Sequence, residues 1–395
     1  MIISARSIAS IVGASAMFMA GAAAASPAGE KIPDTWYCKF QAGTVSVDAM
    51  SARAAGQARG RVLYVYKHVG PGFALYASSQ AVSAMVRSNP RVTSCTQATT
   101  VSLPPTGKAV AVPTKRGGPP SSGGSTTETE PWDIVYVRSR TATGATAWVV
   151  DTGVSTKTGD LNYDQTRSRY FLAPTVRGKQ AGSFEDFNGH GTHVAGTIAA
   201  IKGNSRGIYG VAPGATIVSV RVLDSQGNGR DIDVAAGIDY VLGVAGQGDV
   251  LNLSVNADPQ SALMDDSVLA FSDPAKNPGG VRIVIAAGNY GTSLDGSFRY
   301  SPPADIDGAN IYTVGSIGQN GTYSSFSNYG SSVDYAEPGE NIVSLDTSGG
   351  TTVKQGTSMA APHLSGIFLS QGTVTTKTTV TTPSGTVPVG ANPAP

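Results

Sequence analysis

From Pro131 to Gln371 apolar runs of strand length alternate with stretches of helical spacing, and this alternation constrains the fold more than any other feature of the 395-residue chain. Thr146–Val150, Thr216–Val222, Val250–Leu253, Ile283–Ala286 and Ile311–Ser316 are short runs dominated by apolar residues. Strands of that kind are buried on both faces, as in parallel sheets covered by helices. His190–Ile201, Asp231–Leu242 and Ser358–Leu369 read as helices set between or after them. The expected class is therefore α/β, three layers around a mainly parallel sheet, over residues 131–371.

The chain ahead of this region reads differently. Arg6, the apolar run Ile8–Ala20 and the small residues Ala22 to Ser26 form a secretory leader over residues 1–25, cleaved after Ala25. Residues 26–102 hold a β-α-β-β-α-β pattern of ferredoxin-like α+β type. Its strands are Trp36–Phe40, Arg61–Tyr66, Phe73–Tyr76 and Val92–Thr100, and its helices are Asp48–Ala58 and Ser78–Arg87. Asp48 is placed to cap the first helix. In this strand order the first and last strands are neighbours, which makes Cys38 and Cys95 a candidate disulfide; two unpaired buried thiols are the alternative. Residues 103–130 are dense in Pro, Gly, Ser and Thr and read as a flexible linker. Residues 372–395, Thr/Pro-rich and nearly free of charge, read as an unpacked tail. With 28 Lys+Arg against 27 Asp+Glu the net charge is +1, which excludes an electrostatic case for nucleic acid or an acidic membrane as partner. No segment after the leader is long and apolar enough to span a bilayer.

Four short motifs carry chemistry. Asp151 follows the apolar run Val149-Val150 directly, at the strand end where parallel α/β folds place catalysts; alone it could be a turn residue. Asn188-Gly189-His190-Gly191-Thr192-His193 opens a helix and contains two of the chain's 4 His. Either one His is catalytic and the other packs inside, or the two chelate a metal; their spacing is not that of the HExxH metal helix and no Glu lies between them. Gly356-Thr357-Ser358-Met359-Ala360-Ala361-Pro362-His363 puts a serine at a helix start, either as a cap or as a nucleophile whose own N–H faces the substrate. Ala286-Ala287-Gly288-Asn289 ends an apolar run in a carboxamide that can donate to an oxyanion.

Taken together, the order Asp, His, Ser and these motifs resemble the subtilisin-like (subtilase) serine peptidases over roughly Pro131 to Gln371. The resemblance implies a secreted serine endopeptidase acting on polypeptides through an acyl-enzyme. Ser358 would be the nucleophile, His190 the general base and Asp151 its orienting partner. Asn289 and the Ser358 N–H would form the oxyanion hole. Ser254, Val255, Asn256 and Gly288 would line the substrate groove. His193 and His363 match structural histidines of the motifs. Residues 26–102 would be an inhibitory propeptide, making the chain a self-inhibited zymogen cut within the linker. No cofactor is implied for the chemistry, and a monomer is the default.

The sequence also departs from the family pattern. Asn256 stands where Gly is usual, which would narrow the cleft, and residues 301–304 follow Tyr300 where the opposite pocket wall would lie. The closing elements after the serine helix are replaced by the 372–395 segment. Asp160 and Asn204 fall where some members hold a structural calcium. These departures leave one alternative from a different class, a catalytically impaired binding protein on the same fold.

Overall fold

The computed structural model describes residues 29–105, 128–172, 180, 182–256, 260–296 and 301–394. The expected leader, most of the linker and Tyr300 lie outside the described residues. The N-terminal unit runs β1 (Lys31–Phe40), α1 (Val47–Gln57), β2 (Arg61–Tyr66), β3 (Gly72–Tyr76), α2 (Ser79–Ser88) and β4 (Val92–Ser102). Its strands lie in the order β2-β3-β1-β4, all pairs antiparallel, the arrangement its β-α-β-β-α-β pattern calls for. Cys38 and Cys95 are directly opposite in the β1–β4 register and are disulfide-bonded. Ser78 caps α2 by accepting the Ala81 N–H. Asp48 does not cap α1 as expected: it is the second residue of the helix, after Ser46 at the cap position, and pairs with Lys67 at 2.7 Å.

The larger unit continues with α3 (Trp132–Val137), β5 (Thr146–Asp151), β6 (Asn162–Tyr163), β7 (Arg169–Tyr170), α4 (His190–Ala199), β8 (Thr216–Arg221), β9 (Asn228–Arg230), α5 (Asp231–Val244), β10 (Val250–Leu253) and α6 (Ala262–Leu269). It closes with β11 (Arg282–Ala286), β12 (Ile311–Ile317), β13 (Val333–Pro338), β14 (Ile342–Leu345), β15 (Thr351–Lys354), α7 (Thr357–Gln371), β16 (Thr375–Thr382) and β17 (Gly385–Ala391). The central sheet is parallel, in the order β13-β12-β11-β10-β5-β8-β6 with β7 also on β8. Because strand side chains alternate, β5 sends Ala147 and Val149 to a core shared with α4 and α7, and Trp148 and Val150 to one shared with α5 and α6. That is the three-layer α/β architecture the apolar runs imply.

The 372–395 segment is not a tail. β16 and β17 form an antiparallel hairpin, with Val380, Val387 and Val389 buried in the main core cluster. The Gly390 N–H of β17 reaches Glu337 of β13 at 2.9 Å. The physical reason is a period-two pattern inside Thr-rich composition: a few inward valines suffice to seat a hairpin that has a ready surface to lie on.

The two units share a core and a sheet. β4 pairs antiparallel with β9, so Thr100–Ser102 extend the N-terminal sheet onto the larger unit. Tyr37, Tyr66 and Val101 belong to the same buried cluster as Trp148 and Val220. Around this apolar contact, α5 offers carboxylates to the partner's donors. Asp239 accepts the N–H groups of Lys67, His68 and Val69 at 2.9, 2.6 and 2.9 Å. Asp231 accepts the Thr99 N–H and hydroxyl at 3.1 and 3.0 Å. Among the described residues no helix is long and apolar enough to cross a membrane.

Candidate active site

Three adjacent strands of the sheet, β5, β10 and β11, end side by side, and the residues at or just past their C-terminal ends are Asp151, Ser254–Asn256 and Gly288–Asn289. Parallel strands all point the same way, so residues far apart in sequence gather at one edge. α4 and α7 start at the same edge, with His190 as the first residue of α4 and Ser358 as the second of α7.

Asp151 is fully buried, and its two carboxylate oxygens lie 2.8 and 2.9 Å from His190 Nδ1. The Thr152 N–H donates to Asp151 Oδ1 at 2.6 Å. A carboxylate held this way makes Nδ1 the protonated nitrogen and leaves Nε2 as the free base. The close approach of α4 to β5 requires Gly191, where a Cβ would fall 2.1 Å from the Gly153 carbonyl oxygen. Ser358 is buried, and its Oγ has no hydrogen-bond partner among the described residues. Pro362, four residues on, has no N–H to give the Ser358 carbonyl. Ser254 Oγ donates to that carbonyl instead, at 3.4 Å.

The Asn289 carboxamide has a fixed orientation. Its Oδ1 accepts the Thr357 N–H and hydroxyl at 2.8 and 2.9 Å, so Nδ2 points outward. Nδ2 donates at 2.8 Å to the carbonyl of Pro105, from the chain's own linker. Ser102 exchanges both backbone hydrogen bonds with Asn256 at 3.1 Å, and the Leu103 N–H donates to the Gly227 carbonyl at 2.9 Å. Ser102 and Leu103 thus lie between Asn256 and Gly227, and the linker is anchored at this end instead of free.

The sequence reading missed three supporting residues. Asp186 accepts five hydrogen bonds: from Thr152 Oγ1, Asn188 N and Gly189 N on Oδ1, and from Thr192 N and Oγ1 on Oδ2, at 2.6–3.0 Å. It ties the loop after Asp151 to the turn before His190; its only sequence signal is an Asp ahead of Asn-Gly. Thr357, which orients Asn289, lay inside a motif read for its serine. Asn252 bridges Ser254 and Ser365 at 3.1 and 2.9 Å, locking β10 to α7.

The two other motif histidines, His193 of α4 and His363 of α7, face different partners. His193 Nε2 meets the Ile342 carbonyl at 3.1 Å, and burial pushes its pKa down to about 3, so it stays neutral. His363 Nε2 lies 2.9 Å from Asp133 Oδ2, joining α7 to α3. The structure does bring Asp160 and Asn204 together, but through the Asn204 amide nitrogen, which donates to Asp160 Oδ1. Asp160 Oδ2 is buried with no hydrogen-bond partner among the described residues, and burial raises the carboxyl to about 6. That oxygen fits a hard cation. Asn204 would join only after its carboxamide turned over, since its oxygen now accepts the Arg206 N–H at 2.9 Å.

Residues 143–371 match the model of the subtilase family. The thermostable alkaline protease of Halalkalibacterium halodurans is 35% identical over 248 residues, 61% of this chain and 62% of that protein. Subtilisin Savinase of Lederbergia lenta is 38% identical over 243 residues, 60% of this chain and 81% of that protein. The chain thus spans about three-fifths of the length of the Halalkalibacterium relative. Among solved structures, the epidermin leader peptide processing serine protease of Staphylococcus aureus superimposes with a TM-score of 0.65 at 20% identity, over 85% of this chain and 87% of that one. At that identity the likeness speaks to the fold.

Proposed function

The chain belongs to the subtilase family, and from that premise we propose that it is a secreted serine endopeptidase made as a self-inhibited precursor. The observation that carries the reading is the Pro105 carbonyl on the Asn289 amide, beside a His190 paired to Asp151 and a serine with a free hydroxyl. A substrate carbonyl held as Pro105 is held would lie among all the groups acyl transfer requires. In this reading Ser358 Oγ attacks the carbonyl carbon while His190 Nε2 takes the hydroxyl proton. Asn289 Nδ2 and the Ser358 N–H stabilise the oxyanion. His190 then gives its proton to the leaving amine as the C–N bond breaks. Water repeats the sequence on the acyl-enzyme and restores Ser358.

Self-inhibition is supported by the same contact, since residues 102–105 take up the backbone partners an incoming peptide would use. Maturation would be a cut within 103–130, and export would use the leader at 1–25. A structural calcium on Asp160 belongs to the same reading, with the buried, unpartnered Oδ2 in its favour. The monomer expectation stands with it.

The test is hydrolysis of casein by purified matured protein beside the Ser358→Ala variant, together with self-processing of both precursors. Activity and processing lost in Ser358→Ala is the expected result. A fully matured wild type that binds peptides and cleaves none would make the binding-protein reading the better one.

A further inference from the structure

Arg221, the last residue of β8, is fully buried. Among the described residues its hydrogen bonds all go to neutral oxygens. Nε donates to the Leu223 carbonyl at 3.1 Å, Nη1 to the Gln180 and Ser183 carbonyls at 3.3 and 3.0 Å, and Nη2 to Gln180 Oε1 at 3.2 Å. The guanidinium also lies over the Phe187 ring, 4.9 Å from its centroid. A cation buried without a carboxylate partner is costly, and the steps of acyl transfer give this one no part. Its contacts lead to the catalytic pair from both sides. Arg221 is opposite Asp151 in the β5–β8 register, and the next two N–H groups, of Val222 and Leu223, donate to the Asp151 carbonyl at 2.9 and 3.3 Å. Across the guanidinium, Ser183 and Phe187 bracket Asp186 in sequence. Asp186 accepts the Asn188 and Gly189 N–H groups ahead of His190, the Thr192 N–H after it, and the Thr152 hydroxyl beside Asp151. Direct contacts therefore run from Arg221 through residues 183–187 to Asp186, and from Asp186 to both members of the His190–Asp151 pair.

We infer that Arg221 is a positioning residue for the proposed hydrolysis: it fixes residues 183–187 against the end of β8, so that the Asp186 carboxylate keeps the His190 turn in register with Asp151. The inference deepens the endopeptidase reading and rests on it. A planar guanidinium donates in several fixed directions at once, so it holds the Leu223, Gln180 and Ser183 carbonyls in one arrangement; an ammonium is a single point of charge and does not. Arg221 is buried and reaches the reacting atoms only through His190, so its loss should lower the rate and leave substrate affinity alone. A displacement of about 1 Å in a catalytic group is enough to slow a reaction on the order of 100-fold.

Two readouts test it. In the first, kcat and KM of matured proteins are measured on one peptide, well below each melting point and per titrated active site, so that lost folded protein is not read as lost rate. Arg221→Met should lower kcat about 100-fold with KM within about threefold of wild type. Arg221→Lys should recover part of this, ending about tenfold below wild type. Because Arg221 acts through Asp186, adding Arg221→Met to Asp186→Asn should lower kcat by no more than about threefold beyond Asp186→Asn alone. The second readout needs no hydrolysis, so a failure of the endopeptidase reading remains distinguishable from a failure of this one. In the uncleaved Ser358→Ala chain, the proton between His190 Nδ1 and Asp151 is followed by NMR and assigned by its absence in His190→Ala. Arg221→Met in that chain should shift or broaden its resonance. Unchanged kcat per active site, a loss carried by KM, full additivity with Asp186→Asn, or an unmoved Nδ1 resonance overturns the inference. If Arg221→Met does not fold, Arg221→Lys decides by the same kcat and KM criteria.

Discussion

The two units of the chain are built on opposite principles. The larger one buries a parallel sheet on both faces with its own helices, and residues 29–105 join only the cluster on the α5 and α6 side. The N-terminal unit covers one face of its sheet with α1 and α2, around Phe40, Phe73 and Met85. Its other face, with Tyr37, Tyr66 and Ala98, is covered by the larger unit. A sheet with one face left to a partner is marginal alone, and this one is stapled by a disulfide closing a 57-residue separation. The difference bears on the proposed self-inhibition: an inhibitor built this way is ordered by what it covers, so once severed and released it would lose half of its core.

That comparison can be broken most severely at the staple. Replacing Cys38 and Cys95 by Ala in the uncleaved Ser358→Ala chain should cost the N-terminal unit about 4 kcal/mol by the loop-entropy estimate. In a thermal melt the transition of the larger unit should not move. A shared loss would mean that the two units are one cooperative body. Next is the docking carboxylate. Asp239→Ala strands three N–H groups of residues 67–69 and should weaken inhibition of the matured enzyme by added N-terminal unit on the order of 100-fold. An unchanged inhibition constant would assign the contact to the apolar face alone.

A smaller effect sharpens the account of the larger unit. Glu337 is fully buried against β17, and burial holds its pKa well above the usual 4.5. The fold therefore favours the protonated carboxyl more than the unfolded chain does. A raised carboxyl favours the fold only while protonated, so its stabilising share is full below 4.5 and is lost as pH rises through the folded value. Glu337→Gln, which keeps a neutral acceptor for the Gly390 N–H, should melt above wild type at pH 8. The gap should be on the order of 1 kcal/mol or more and should close at pH 4. A gap that widened in acid would contradict the buried neutral carboxyl. The smallest effect is calcium: its addition should raise the melting point by a few degrees, about 1 kcal/mol, and Asp160→Asn should abolish that rise.

Much of this was legible in the sequence. The apolar runs named the central strands because burial on both faces makes most of their positions apolar. The Asp151, His190, Ser358 and Asn289 motifs were legible because glycines and small residues around them are forced by close backbone approach, as at Gly191. Other features are tertiary and left little trace. β9 is Asn228-Gly229-Arg230, with no strand propensity; it pairs because β4 lies beside it. The 372–395 hairpin was hidden because threonine serves equally in a linker and on the outer face of a strand. The hydrogen-bond partner of Asn256 is Ser301, 45 residues away, so that contact could not be read from its own surroundings.

The central claim is that Ser358 is a nucleophile activated by His190. The most direct measurement is to treat matured protein with a serine-directed phosphonylating inhibitor and locate the adduct by peptide mass mapping while following hydrolysis. The account predicts one adduct per chain, on Ser358, rising in step with loss of activity and slowed on the order of a thousandfold or more in His190→Ala. Hydrolysis that persists with Ser358 fully modified, or an adduct at another residue that tracks the loss, would contradict it.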